Sequence, residues 1–261
     1  MLSYQHAFHA GNLADVQKHA LLAWMLDYLT QKDKPLSYLE THAGRGLYRL
    51  TSAEALKTGE AAQGIGRVLD WFAPNHPYRQ RLAEVAAMYG AETYPGSPLI
   101  AATGLRETDR MHLAELHPQE YAALSELMAG WGADVRREDG LAMALALTPP
   151  TPRRGVMLID PSYEVKTDYD RIPRVMAQVA RKWNVGHLML WYPILSDSPH
   201  RPMLSALQAT FPEGLRHEVG FPPARAGHRM TGSGVFVVNP PWGLAEETAR
   251  LGAMFARLSR G

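Results

Sequence analysis

Residues 36–46 read LSYLETHAGRG, an apolar segment that runs into a turn containing Gly44 and Gly46. The apolar stretch from Leu36 to Leu39 is typical of a buried β-strand. The two glycines let a ligand approach the backbone closely, because glycine has no Cβ. A strand followed by a glycine-rich turn is the usual start of a nucleotide-binding βα unit. This stretch therefore predicts the first strand of an α/β domain, with a ligand site at the turn.

Periodic segments on both sides of this strand extend the α/β pattern. Upstream, residues 12–29 predict a helix that begins at Asn12 and has an acid, Asp15, three residues later. Downstream, strand-like and helix-like segments alternate, and residues 214–221 and 232–241 predict a final antiparallel pair. The alternation predicts a doubly wound, mostly parallel sheet that binds its ligands at the carboxyl ends of the strands.

Residues 52–93 interrupt this alternation with two helix-like segments that are separated by the breaker run APNHP at residues 73–77. They predict a small helical subdomain inserted after the first strand. The main domain is then formed by residues 1–51 and 94–261.

Length and composition agree with one large domain that carries an insertion. The chain has 261 residues, of which 46% are hydrophobic, and this is enough to bury a sizeable core. It contains no cysteine, which excludes disulfides, thiolate zinc sites and a cysteine nucleophile and favours a reducing cytoplasm. No window approaches about 18 uninterrupted apolar residues, so we expect a cytoplasmic protein without a membrane span.

The charge is nearly balanced overall but uneven along the chain. The net charge is +1, with 11 Lys and Arg against 14 Asp and Glu in residues 1–130, and 16 against 12 in residues 131–261. The basic residues of the second half could form a phosphate-facing surface or simply solvated faces. They include Arg136, Arg137, Arg153, Arg154, Arg171, Arg174, Arg181, Lys182, Arg225 and Arg229.

Four predicted strands each end in a polar cluster, and a parallel sheet places these ends side by side. The clusters begin at Glu40, Glu115, Glu138 and Asp160. Glu115 can accept hydrogen bonds from two ribose hydroxyls, as carboxylates at this position do in nucleotide-binding sheets, or it can cap a helix. Asp139 can bind an adenine amine while Gly140 makes room for the ring, although Asp-Gly is also an ordinary turn.

The last cluster, Asp160-Pro161-Ser162-Tyr163, resembles motif IV of the amino-methyltransferases, [D/N]-P-P-[Y/F/W]. The lone pair of an adenine amine is delocalised into the ring, so the amine is a poor nucleophile. Asp160 can accept an N–H of this amine and aim its lone pair at a methyl group, and Tyr163 can stack on an extruded base. Ser162 stands where the motif usually has proline. A plain turn after a strand is the alternative.

Five further motifs extend along almost the whole chain: LSYxHxFHAGNxADVxKH at residues 2–19, THAG at 41–44, YPGSP at 94–98, ELHP at 115–118 and NPPW at 239–242. Taken in order, these motifs resemble the RlmJ family of 23S rRNA adenine-N6 methyltransferases. The resemblance implies a class I S-adenosylmethionine-dependent methyltransferase fold (Rossmann-like, α/β) with an inserted helical subdomain. It implies that Asp160 is catalytic and that Tyr4 lies at the substrate-facing opening. The positions implied to bind S-adenosylmethionine are His19, His42, Ser97, Glu115, Asp139 and Gly140.

Three alternatives remain open on the sequence alone. His6, His9, Asp15 and His19 could hold a hydrolytic metal, but neutral imidazoles also serve as hydrogen-bond partners of a cofactor. The motif around Asp160 recognises an amine and not a sugar, so it also suits DNA adenine methylation. A noncatalytic RNA-binding protein that retains the fold is the third possibility, because of Ser162. We expect a monomer that needs no metal and acts on 23S ribosomal RNA.

Overall fold

The computed structural model describes residues 6–223, 227 and 229–258, so the expectations for Tyr4 and Arg225 lie outside the described residues. The strands of the described part are β1 (Ser37–Glu40), β2 (Leu47–Arg49), β3 (Thr93–Pro95), β4 (Arg110–Ala114), β5 (Asp134–Arg136), β6 (Gly155–Ile159), β7 (His187–Leu195), β8 (Leu215–Gly220) and β9 (Met230–Val238). Its α-helices are α1 (Leu13–Thr30), α2 (Ala53–Thr58), α3 (Glu60–Gln63), α4 (Ile65–Val68), α5 (Pro77–Tyr89), α6 (Ser97–Gly104), α7 (Pro118–Met128), α8 (Gly140–Leu147), α9 (Asp168–Lys182), α10 (His200–Thr210) and α11 (Leu244–Leu258).

Seven strands form one sheet in the order β5-β4-β1-β6-β7-β9-β8. The first five in this order run parallel, whereas β9 is antiparallel to both of its neighbours, β7 and β8. The predicted mostly parallel sheet and its final antiparallel pair are therefore confirmed. In the register of the sheet, Glu40 at the end of β1 lies opposite Leu113 and Leu158, so β1, β4 and β6 end at one edge.

Helices cover both faces of this sheet, as a doubly wound fold requires. Side chains of α1, α5, α6 and α11 form one hydrophobic cluster, which also contains Tyr38 of β1. Side chains of α8, α9 and α10 form a second cluster, which contains the next residue of the strand, Leu39. Because successive side chains of a strand point to opposite faces, the two clusters lie on opposite sides of the sheet.

Helix α1 begins as the sequence predicts. The side chain of Asn12 accepts a hydrogen bond from the amide of Asp15 at 2.9 Å, which satisfies one of the free donors of the first turn. The helix packs against α5, α6 and α11, and most of its circumference is buried. Polar residues are buried with it, including Asp15, Gln17, Lys18 and His19. A buried polar side chain needs a hydrogen-bond or ion-pair partner, so these residues must find partners on α1 itself or on the neighbouring parts of the fold.

The segment 52–93 contains helices α2 to α5, and β2 and β3 pair in an antiparallel manner on either side of it. Its apolar residues, such as Ile65 and Phe72, join the cluster that α1 forms on the same face of the sheet. The backbone also approaches α1 closely, because a Cβ on Gly64 would lie 2.0 Å from the carbonyl oxygen of Gly11. The division into a main domain and an inserted subdomain stays a prediction.

Candidate active site

A cleft of about 850 Å³ opens at the edge where β1, β4 and β6 end. This volume lies within the range of roughly 300 to 1,000 Å³ that is usual for small-molecule and cofactor sites. The structure brings the sequence-predicted site residues of the described part together around it. They are His19, His42, Ser97, Glu115, Asp139, Gly140, Asp160 and Tyr163.

A buried ion-pair cluster forms one wall of the cleft. The Lys18 ammonium lies 2.6 Å from Oδ2 of Asp160, at the end of β6, and 3.0 Å from Oδ1 of Asp15, on its own helix. The side chains of Lys18 and Asp160 are only 5% and 13% exposed. Burial alone lowers the pKa of Lys18, but the carboxylates of Asp160 and Asp15 outweigh it and raise that pKa above its ordinary value. Lys18 is therefore charged at every physiological pH and contacts Asp160 as a cation.

Asp15 ties this cluster to the segment that precedes α1. Its Oδ2 contacts Nε2 of His6 at 2.9 Å and accepts a hydrogen bond from the amide of Gly11 at 2.9 Å. Burial raises the pKa of Asp15, but His6 and Lys18 outweigh burial and hold the pKa well below the ordinary value. The start of the described chain is thus fixed to the wall of the cleft by an ionised carboxylate.

A second carboxyl group, Glu40, lies behind the cleft at the end of β1. The hydroxyl of Ser97 donates to Oε1 of Glu40, and the hydroxyl of Tyr38 donates to Oε2 at 2.8 Å. Burial raises the pKa of Glu40 to about 8, against the opposing effect of these two donors. At neutral pH most Glu40 side chains are therefore protonated. This group fixes the hydroxyl of Ser97, for which the family resemblance implies cofactor binding.

His19 has one nitrogen in use and one available. Its Nδ1 lies 2.8 Å from the hydroxyl of Tyr94, which in turn contacts the hydroxyl of Tyr78 on α5 at 2.8 Å. Its Nε2 is buried and has no hydrogen-bond partner among the described residues. Burial holds the pKa of His19 well below its ordinary value, so the imidazole is neutral. A buried polar atom without a partner beside a cleft is what a site for a polar ligand requires.

Glu115 performs the capping role and keeps capacity for a ligand. Its Oε2 accepts from the amide of Gly44 at 2.8 Å and its Oε1 from the amide of His117 at 2.7 Å. The carboxylate thereby joins the end of β4 to the glycine-rich turn after β1. Each carboxylate oxygen can accept a further hydrogen bond, and Glu115 is half-buried at the cleft. Its role toward a ribose stays a prediction.

Asp139 likewise caps a helix, and the reason for Gly140 differs from the one that the sequence suggested. Oδ1 of Asp139 accepts from the amides of Leu141 and Ala142 at 2.9 and 3.0 Å, and Oδ2 lies 2.7 Å from Nη1 of Arg171. A Cβ on Gly140 would lie 1.8 Å from the carbonyl oxygen of Thr41. The space beside Gly140 is therefore filled by the backbone after β1. The expectation that this glycine makes room for an adenine ring is wrong.

Tyr163 borders the cleft but offers it little surface. Its side chain is 7% exposed, one ring face stacks on Tyr169 at 4.5 Å, and its hydroxyl donates to the carbonyl oxygen of Trp191 at 2.9 Å. Its φ of 56° is unusual for a residue with a side chain and marks a constrained loop, of the kind found at functional sites. Trp191 also lines the cleft, with Lys18 5.6 Å from its ring centre. Stacking of a base on Tyr163 stays a prediction.

His6 and His9 have different carboxylate partners. His6 contacts Asp15, whereas Nδ1 of His9 lies 3.0 Å from both oxygens of Glu60 in the segment 52–93. In the part of the chain that the structure describes, no group of three or more histidine or carboxylate side chains is placed to hold a metal ion. None of the helices described there combines the length and the apolar composition needed to cross a membrane.

Residues 33–258 match the protein-family model that is described as ribosomal RNA large subunit methyltransferase D, RlmJ. The chain belongs to this family. The Ribosomal RNA large subunit methyltransferase J of Escherichia coli (strain K12) is 41% identical over 252 residues, which are 95% of this chain and 90% of that protein. The protein of the same name from Haemophilus influenzae is 40% identical, over 94% of this chain and 89% of that protein. Protein LPL1258 of Legionella pneumophila superposes with a TM-score of 0.86 at 36% identity, covering 96% and 94% of the two chains.

Membership in the RlmJ family confirms the predicted family, and the sheet topology agrees with the class I S-adenosylmethionine-dependent methyltransferase fold that the resemblance implies. The sequence motifs named the residues that surround the cleft but gave no role to Lys18 or Glu40. Lys18 lies in the motif at residues 2–19 and Glu40 directly precedes the motif at 41–44, and an ionisable residue in an apolar segment was the available signal. Their partners come from α1, β1, α6 and the end of β6, so only the folded chain shows these contacts.

Proposed function

We propose that this member of the RlmJ family transfers a methyl group from S-adenosylmethionine to the exocyclic N6 amine of an adenine in 23S ribosomal RNA. The observation that carries the proposal is the pairing of Asp160 with the buried ammonium of Lys18 at the edge of a cofactor-sized cleft. The names of the two relatives support large-subunit ribosomal RNA as the substrate. The Asp-Pro-x-Tyr sequence at 160–163 supports an amine as the acceptor.

The residues of the cleft suit S-adenosylmethionine. Nε2 of His19 is buried without a hydrogen bond, 3.8 Å from Oδ1 of Asp15, and Glu115 retains acceptor capacity at the end of β4, where a nucleoside ligand of this fold binds. Glu115 would hold the ribose, Asp139 the adenine, and His19, His42 and Ser97 the remaining polar groups. When bound, the cofactor supplies a methyl group on a sulfonium, which is an electrophile.

Asp160 orients the target amine. Lys18 occupies its Oδ2, which leaves Oδ1 to accept a hydrogen bond from the adenine amine. With an N–H of the amine donated to Oδ1 of Asp160, the lone pair of the nitrogen is aimed at the methyl group. Methyl transfer makes the nitrogen cationic and its N–H acidic. The carboxylate of Asp160 stabilises that charge, whereas the nearby ammonium of Lys18 repels it and favours loss of the proton to solvent.

A paired assay tests the proposal. The native protein should transfer radiolabelled methyl groups to 23S ribosomal RNA fragments, and mass spectrometry of the digested RNA should find N6-methyladenosine. Asp160→Ala should abolish transfer and leave the affinity for S-adenosylmethionine, measured by calorimetry, within a few fold. Substantial residual transfer would remove Asp160 from this role. Equal methylation of duplex DNA would exclude the RNA assignment, and cofactor binding without any transfer would indicate a noncatalytic RNA-binding protein.

A further inference from the structure

Helix α9 presents a row of basic side chains to the solvent. Its exposed residues Arg171, Arg174, Gln178 and Arg181 follow one another at intervals of three or four, so they lie on one side of the helix. The opposite side is buried against the sheet. We call these four residues the α9 ridge. A helix of 15 residues is about 22 Å long, and the ridge extends over most of that length.

The ridge starts at the cleft. Arg171 lines the cleft and contacts Asp139 at 2.7 Å. A groove of about 480 Å³ between α8 and α9 continues from there, and Arg174 and Gln178 line it. Asp170 is the acidic residue of this groove. An extended anionic ligand that leaves the cleft along this groove would therefore meet further positive charge on α9.

Beyond the end of the ridge, the loop after β9 carries a solvent-exposed tryptophan. The indole of Trp183, immediately after α9, donates to the carbonyl oxygen of Arg153, which brings this exposed arginine to the end of the ridge. The side chain of Asn239 donates to the carbonyl oxygens of Asn184 and Gly186 at 3.0 Å, which fixes the loop after β9 to the same corner. Three residues later, Trp242 is 82% exposed.

Three arginines at this end and along the ridge lack a carboxylate partner that would neutralise them. Among residues 6–223, 227 and 229–258, Arg153, Arg174 and Arg181 have no carboxylate within 4.0 Å. Trp242 has the largest exposed fraction of the large hydrophobic side chains in that part of the chain. Unpaired arginines together with an exposed aromatic ring are the combination that binds single-stranded nucleic acid, because cations neutralise phosphates and rings stack on bases.

We propose that the α9 ridge, Arg153 and Trp242 form a docking track for an unpaired RNA strand that flanks the target adenine. The inference rests on the proposed function, since the track begins at the cleft that would hold that adenine. Arg174 and Arg181 contact phosphates of this strand, and a base stacks on Trp242 in the loop after β9. Arg153 precedes β6 and Asp160 follows it, so the five residues of β6 separate these two positions by roughly 17 Å.

Binding and turnover on two lengths of RNA test this track. The short RNA is a stem-loop with the target adenine, and the long RNA adds ten unpaired nucleotides on the 5′ or the 3′ side. Arg174→Gln together with Arg181→Gln should lower the slope of log Kd against log salt for the long RNA by about 1.4, at about 0.7 per phosphate contact. Trp242→Ala should weaken binding of the long RNA about tenfold, as expected for one lost stacked base. Turnover on the short RNA should not change.

Matched substitutions on the other face of the sheet provide the controls. Arg257→Gln on α11 and Met88→Ala on α5 remove an exposed cation and an exposed apolar side chain there. They should leave the binding of both RNAs unchanged, and thermal unfolding should confirm that every variant is folded. Arg181→Glu should weaken binding of the long RNA more than Arg181→Gln does, because the glutamate also repels the phosphates.

Three results would overturn the track. The first is that neither extension increases the affinity of the native protein for RNA. The second is that the ridge variants weaken binding of the short and long RNAs equally. The third is that Trp242→Ala dissociates a dimer that sedimentation detects in the native protein. The last result would make this corner a self-association face. These measurements are independent of catalysis, so absence of methyl transfer to any RNA would contradict the proposed function and leave the binding result to be judged separately.

Discussion

Two ion pairs border the same cleft, yet they stand in different surroundings. On the α1 side, the Lys18 ammonium contacts Asp15 and Asp160, and these three side chains are 5%, 2% and 13% exposed. On the α9 side, Arg171 contacts Asp139 at a similar distance, but the two side chains are 44% and 41% exposed. The contact distances, 2.6 and 2.7 Å, hardly distinguish the pairs.

Burial decides what each pair contributes. An exposed pair is screened by water and salt and contributes about 0 to 1 kcal/mol, whereas breaking a buried pair leaves a charge that water cannot reach. The difference follows from the two helices. Helix α1 is packed on most sides and buries its polar residues, while α9 buries one side and exposes the other. The α1 side therefore fixes the chemistry of the cleft, and the α9 side remains available for a partner.

The largest effect should follow from Lys18→Met, which removes the shared cation and leaves Asp15 and Asp160 buried without it. The free energy of unfolding should fall by about 3 to 5 kcal/mol, as for other broken buried pairs. Methyl transfer should be lost as well. Urea unfolding measures the change, and Lys32→Met, an exposed lysine just after α1, is the control that should change stability by at most about 0.5 kcal/mol. A loss below about 1 kcal/mol for Lys18→Met would mean that the site rearranges to solvate both carboxylates.

Glu40→Gln should change how stability depends on pH. The pKa of Glu40 is about 8 in the folded protein, against an ordinary value of 4.5. Between these values the folded protein holds a proton that the unfolded chain has released, so the unfolding free energy falls as pH rises, by at most about 1.4 kcal/mol per pH unit. Glutamine cannot titrate. The variant should therefore gain stability relative to the native protein between about pH 5 and 8.

Thermal unfolding over that pH range measures the Glu40 effect. The difference in melting temperature, variant minus native, should grow steadily toward pH 8. A constant difference would show that Glu40 is ionised in the folded protein throughout the range. Glu213→Gln, at an exposed position before β8, is the control and should give no trend.

Glu115→Ala should have a smaller effect, and on the cofactor more than on the fold. Losing charged acceptors for ribose hydroxyls should weaken S-adenosylmethionine binding by an order of magnitude or more. The amides of Gly44 and His117 also lose their acceptor, so Glu115→Gln, which keeps one oxygen, should give an intermediate affinity. Calorimetry decides the question. Native affinity in Glu115→Ala would leave only the capping role.

The fold was predictable where a local pattern dominates. The cap at Asn12, the strand before the glycine-rich turn and the last antiparallel pair all show regular periodicity or turn residues, and all are present. Strands β2 and β3 were not predicted, because each has three residues and β3 contains Pro95. Helix α9 was also missed. Its Pro173 lies within the helix, where proline usually signals a break, and tertiary packing of the apolar side overrides that signal.

The site was predictable as a set of strand ends but not as a network. Parallel strands place Glu115, Asp139 and Asp160 at one edge, and the structure brings them to one cleft. A lysine within a helix usually indicates a solvated face, so Lys18 drew no role, and its partner Asp160 is 142 residues away in sequence. The predicted role of Gly140, to make room for an adenine ring, failed because it also depended on a residue distant in sequence. The carbonyl of Thr41, which fills that space, follows β1.

The smallest effect should follow from Arg171→Gln, the counterpart of Lys18→Met on the exposed side. Burial raises the pKa of Asp139, but Arg171 and the amides of Leu141 and Ala142 outweigh it and hold the pKa below the ordinary value. Without Arg171 that pKa moves upward, while the two amides continue to lower it. Because both side chains of the pair are exposed, the unfolding free energy should change by less than about 0.5 kcal/mol. Urea unfolding at low and high salt measures this, and the small difference should vanish at high salt. A loss above about 2 kcal/mol that persists in high salt would show that exposure does not separate the two pairs, and the contrast between the α1 and α9 sides would fail.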